Sequence, residues 1–113
     1  MNIFPTQNYV GVPFPTIRVT HTRGWSCYIV ESNTVVIALR NVGKRHAISG
    51  ALVTVKHLLL HELGHWLCGN SEEYAEQCVE EWWDNVSEDD IVSLIPPAED
   101  FAVIYENEQW RIG

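Results

Sequence analysis

Ala51-Leu52-Val53-Thr54-Val55-Lys56-His57-Leu58-Leu59-Leu60-His61-Glu62-Leu63-Gly64-His65-Trp66-Leu67-Cys68 is apolar on nearly every side, which describes a helix buried in a domain core. At about 100° per residue, Thr54, His57, His61, Gly64, His65 and Cys68 share one arc of about 100°, while Leu, Val and Trp fill most of the rest. A polar stripe on a buried helix must be satisfied by something.

The flanking segments follow from their punctuation. Ser49 is placed to cap this helix, which runs to about Cys68 before Gly69-Asn70 ends it. Ser71 is a natural N-cap for a second helix, with Glu72 and Glu73 in the first turn, where the helix dipole favours acids. The tight turn makes the two helices antiparallel. On the second, Tyr74, Ala75, Cys78, Val79, Trp82, Trp83 and Val86 define the arc expected to face the core. A short third helix over 87–94 opens with Ser87-Glu88-Asp89-Asp90 and stops at Pro96-Pro97. Upstream lie three β-like runs: Ile17 to His21, Trp25 to Glu31 and Thr34 to Arg40, the last two joined as a hairpin by Ser32-Asn33. Residues 1–16, with Pro5, Pro13 and Pro15, read as an irregular strap, and 41–49 as a loop. In 98–113 the pattern is indecisive, since Phe101 to Tyr105 suits a strand or a helix. The expected fold is α+β, one domain over 1–113: a small mixed or antiparallel sheet of about three strands on the buried helix and a second, antiparallel helix.

A chain of 113 residues, 46% of them apolar, has room for one modest core. Its net charge of -8 is divided unevenly: residues 1–60 carry six Lys or Arg against one acid, and residues 61–113 one Arg against fourteen acids. So acidic a whole argues against general nucleic-acid binding, and Arg40, Lys44 and Arg45 read as a solvated loop. No apolar run approaches a membrane span, and Met1-Asn2-Ile3-Phe4-Pro5 lacks the charged start and apolar core of a signal peptide. The expectation is a soluble, cytoplasmic protein. Cys27, Cys68 and Cys78 are odd in number and lack C-x-x-C spacing, so reduced thiols are expected rather than a disulfide framework.

Within the polar stripe, His61-Glu62-Leu63-Gly64-His65 sets two imidazoles one helical turn apart, about 6 Å at Cβ, so both rings can bind one metal ion. Glu62 sits about 100° round from His61, off the ligand line but within reach of a water molecule activated there. A catalytic zinc site needs a third protein ligand and an open position. No histidine follows His65, and the second helix offers Glu72, Glu73, Glu76, Glu80 and Glu81. By helical angle Glu72 falls inside the core-facing arc, Glu76 just beyond its edge, Glu80 further out, and Glu73 and Glu81 in solvent. Glu72 is the first choice and Glu76 the second. Cys68 is the rival, one turn beyond His65, although three ligands from one helix would crowd along a line rather than around a tetrahedron.

His61-Glu62-x-x-His65 followed by Glu72-x-x-Ala75-Glu76 resembles the gluzincin clan of zinc metallopeptidases, over about residues 50–83. The resemblance implies that His61, His65 and Glu72 bind zinc, that Glu62 is the general base, and that Glu76 supports a ligand histidine. Small single-domain zincins, including phage and mobile-element peptidases that cleave regulators, are similar in size and pack the motif helix on a small sheet whose edge strand lies along the cleft. Carried over, Thr34 to Arg40 becomes that edge, to which an extended peptide substrate would add. His57, Tyr74 and Tyr105 are candidates for stabilising the oxyanion, and Trp82 and Trp83 read as core. Two other classes stay open. One is a metal-stabilised interaction or regulatory module without proteolytic activity, although an intact Glu62 has no use in a closed structural site. The other is a regulator whose acidic half is the working surface; metal analysis separates it from the first two.

Overall fold

Thr34-Val35-Val36-Ile37-Ala38 is buried along its whole length, the condition of a strand covered on both faces. The computed structural model describes residues 13–21, 26–39, 42–43 and 54–99, together with the backbone of 111–112. In it, β1 (Thr16–Thr20), β2 (Cys27–Ile29), β3 (Thr34–Ala38), β4 (Ala98–Glu99) and β5 (Arg111–Ile112) form one mixed sheet, in the order β4-β1-β3-β2-β5. The helices are α1 (Val55–Cys68), α2 (Glu72–Trp82) and α3 (Glu88–Leu94), with a 3-10 turn over Trp83–Asn85. The α+β class and the mixed sheet agree with the sequence.

One expectation fails here. Thr34 to Arg40 does not form an edge: β3 lies between β1, parallel, and β2, antiparallel, so both its hydrogen-bonding sides are taken. The most apolar strand goes to the centre because only there is it shielded on every side. Described strand ends at Ala38, and Arg40 lies outside the described residues. The two outer strands, each two residues long, come from the segment without a decisive pattern; so short a pairing has no periodicity to read. An ion pair between Arg18 and Glu99 fastens β4 to β1.

The β2–β3 hairpin forms as expected. Asn33 sits at φ 50°, a left-handed conformation that Asn tolerates better than most residues, and its Oδ1 accepts from the Tyr28 hydroxyl at 2.7 Å. On one sheet face Val19, Val35 and Ile37 meet Leu59, Leu60, Leu63 and Trp66 of α1, and Cys78, Val79 and Trp82 of α2 complete that core. Side chains alternate across a strand, so Val36 joins Cys27 and Ile29 in a separate cluster.

The motif helix begins later than Ser49 suggests. Thr54 is extended, with φ -119° and ψ 163°, and its side chain accepts from the His57 amide, which makes it the N-cap. Ser49 lies outside the described residues, as do residues 1–12 of the expected strap, Lys44, Arg45 and Tyr105. Ser71 caps α2, and Ser87 with Asp90 forms a capping box on α3. The two main helices run antiparallel: His65 meets Glu72, His61 meets Glu76, and Lys56 donates to the Trp83 carbonyl at 2.8 Å. Their closest approach is at Gly64, where an added Cβ would lie 2.8 Å from the Ala75 Cα.

Two residues placed on the core arc of α2 are not in the core. Tyr74 is 57% exposed, because it stands about 100° round from Ala75, beyond the strip that α1 covers. Trp83 is partly exposed and carries the Lys56 ammonium 4.3 Å from its ring centre. Trp82 is buried as expected. Among the described residues, no helix is long and apolar enough to cross a membrane.

Candidate metal centre

Successive turns of α1 place His57, His61 and His65 in one line, and the turn into α2 swings Glu72 and Glu76 against them. The Nε2 atoms of His61 and His65 are 3.1 Å apart. One carboxylate oxygen of Glu72 stands 2.9 Å from His61 Nε2, and the other 3.3 Å from His65 Nε2. Glu72 nevertheless does not face the core, for its side chain, in the first turn of α2, is 63% exposed.

Both rings are oriented from behind. His61 Nδ1 donates to Glu76 at 2.7 Å, and His65 Nδ1 donates to the Gly69 carbonyl at 2.9 Å. The carbonyl points back because Gly69 ends α1 at φ 79°, ψ -151°, a conformation open to glycine. With their Nδ1 protons engaged, both rings turn Nε2 lone pairs toward the same point.

Lone pairs 3.1 Å apart beside a carboxylate repel unless positive charge lies among them. A proton on one ring relieves part of this; a metal ion satisfies all three groups at once. Each ring nitrogen has its own Glu72 oxygen, at 2.9 Å and 3.3 Å, and one ligand atom from each of the three residues lies within 4.8 Å of the others. Ligands at about 2.0–2.1 Å from a common centre lie about 3.3–3.4 Å apart in a tetrahedron, close to the 3.1 Å between the two ring nitrogens. Among the described residues, two groups can hold a metal ion: His61 with His65 and Glu72, and His57 with His61 and Glu76. They share His61.

Glu62 is 1% exposed, and its buried Oε1 has no hydrogen-bond partner among the described residues. Burial foremost, then the charges of Glu72 and Glu76, push its carboxyl well above the ordinary value. Burial also pushes Glu76 up, but hydrogen bonds from His61 and His57, with their charges, outweigh it and hold Glu76 below the ordinary value. Glu76 therefore stays an anion and an acceptor for both rings. The two carboxyls, on facing helices, are thus shifted in opposite directions.

The other expectations sort plainly. The Cys68 thiol turns to Cys78, with the sulfurs 3.6 Å apart, and joins neither metal-holding group. Burial, then the bond to Cys68, pushes Cys78 up to about 12, which leaves it an inert thiol. Among the oxyanion candidates, Tyr74 faces solvent and His57 bonds to Glu76 through Nε2 at 3.0 and 3.1 Å. The link from His57 to Glu76 was missed from sequence, although His57, His61 and His65 at steps of four gave the signal.

Two outcomes are expected of this geometry. If His61, His65 and Glu72 hold an ion, Glu72→Ala should weaken metal binding by more than about 100-fold, whereas Glu76→Ala, which removes only the bond behind His61, should cost about 10–100-fold. Competition against a chelator ranks the two, and the reverse order would exchange their roles. The second concerns stability without metal. Folded Glu62 holds its proton to higher pH than the unfolded chain does, so folding takes up a proton between the two pKa values and stability falls as pH rises through that window. Glu62→Gln abolishes the fall. In metal-free protein its melting temperature should exceed the parent's near about pH 7.5 and converge with it below about pH 4. Equal melting temperatures throughout would mean that the buried carboxylate ionises without cost.

No protein-family model, curated protein or solved structure matches this chain. The functional reading therefore rests on the residues themselves.

Proposed function

We propose that this protein is a zinc-dependent endopeptidase, with His61, His65 and Glu72 as metal ligands and Glu62 as general base. The observation that carries this reading is the buried Glu62 Oε1, which has no hydrogen-bond partner among the described residues and lies on the turn that bears two converging imidazoles. A site built only for structure gains nothing from a buried carboxylate left unsatisfied. Two imidazoles and a carboxylate are a donor set that suits zinc.

A bound zinc ion supplies Lewis acidity, lowering the pKa of water toward about 7 and polarising a substrate carbonyl. The chain's own residues do the rest. Glu62 accepts the proton of the attacking water and delivers it to the leaving amine. Glu76 and the Gly69 carbonyl keep the two rings facing inward. Because β3 is paired on both sides, an extended substrate does not add to it. The approach instead runs past the solvent-exposed Glu72.

The test is digestion of a broad peptide library by zinc-loaded protein, read by mass spectrometry, with chelated protein and Glu62→Gln as controls. The proposal expects cleavage by the parent alone. Zinc bound without any cleavage would favour the non-proteolytic interaction module, and equal cleavage by Glu62→Gln would remove Glu62 from the chemistry.

A further inference from the structure

We infer that His57 is a positioning residue for the metal ligand His61, acting through Glu76. The inference rests on the metal centre alone and not on peptide hydrolysis. His57 Nε2 lies 3.1 Å from one oxygen of Glu76 and 3.0 Å from the other, and that second oxygen accepts from His61 Nδ1 at 2.7 Å. One carboxylate thus gathers N–H donors from two histidines a turn apart on α1. The arrangement has a physical purpose. The Glu76 side chain is 44% exposed, so a single bond to His61 would leave it free to rotate into water. A donor from His57 fixes the plane of the carboxylate, and with it the ring of His61.

Two other readings of the same contacts make different predictions. If His57 only pins α1 to α2, its loss lowers stability and leaves the affinity of the centre alone. If His57, His61 and Glu76 hold a second ion beside the first, His61 must bind through both nitrogens and lose the Nδ1 proton now hydrogen-bonded to Glu76. The 2.7 Å contact is a hydrogen-bond distance, which favours the proton.

The experiment measures zinc stoichiometry and affinity, by competition with a chromogenic chelator, for the parent, His57→Ala and His57→Gln, beside melting of the metal-free proteins. The expected result is one zinc per chain in all three, with a dissociation constant raised about 10-fold in His57→Ala. His57→Gln, which retains an N–H donor, recovers most of that loss even if its melting temperature resembles that of His57→Ala. Affinities within about twofold of one another would overturn the assignment, as would a parent that binds two ions and drops to one without His57. A parent that binds no zinc would overturn the metal centre together with the role of His57. A parent that binds zinc but cleaves nothing leaves this measurement intact, so the two failures are distinguishable.

Discussion

On the proposed peptidase reading, Glu62→Gln should lower peptide hydrolysis by about two to four orders of magnitude while zinc binding is unchanged, the range by which a positioned general base contributes. The substitution is nearly isosteric, and the buried Glu62 belongs to neither metal-holding group, so the metal-holding atoms stay in place. What disappears is the capacity to take up a proton and give it back. The amide is also neutral, which removes the unfavourable charge that Glu72 and Glu76 impose on a carboxylate at this position. A variant that is inactive, binds zinc as the parent does and is the more stable without metal at neutral pH would separate catalysis from structure in one protein. Loss of zinc along with activity would instead make Glu62 a ligand.

Gly64→Ala should damage both the fold and the centre. In an exposed helix the change stabilises by about 1 kcal/mol, because alanine is the better helix former. Here the new Cβ would stand 2.8 Å from the Ala75 Cα and 3.1 Å from the Ala75 carbonyl oxygen. These are backbone atoms, which cannot rotate aside, so α1 and α2 must part. Overpacking of this kind costs about 1–3 kcal/mol, and in a domain this small each kilocalorie lowers the melting point by about 4–8 °C. Separation also carries Glu72 and Glu76 away from the histidines, since Ala75 stands between them on α2. Zinc affinity should fall by more than about 10-fold. Thermal melting and chelator competition read the two effects, and a variant as stable and as tightly metallated as the parent would contradict the close crossing.

What the residues disclosed in advance follows from their periodicity. The stripe on α1 could be read because a helical turn fixes which side chains share a face, and His61, His65, Glu72 and Glu76 do converge. The caps at Ser71 and Ser87 were legible for the same local reason. Strand order was not, because order in a sheet depends on long-range pairing: Thr34 precedes the motif helix in sequence, yet β3 is central in space. Tyr74 was misplaced because an apolar arc drawn on one helix says nothing of how wide a strip its neighbour covers. Glu72 was chosen for pointing inward, and it reaches the histidines instead from an exposed position at the head of α2. The His57 bond to Glu76 needed the helix crossing, which Gly64 and Ala75 set and which no single segment displays.

The most direct test of the metal centre is anomalous scattering at the zinc edge from crystals of protein purified without exposure to chelator. The account predicts one ion per chain, bound by Nε2 of His61, Nε2 of His65 and a carboxylate oxygen of Glu72 at about 2.0–2.2 Å. Protein that carries no stoichiometric metal and takes up none when zinc is supplied, or an ion seated on residues other than these three, would contradict it.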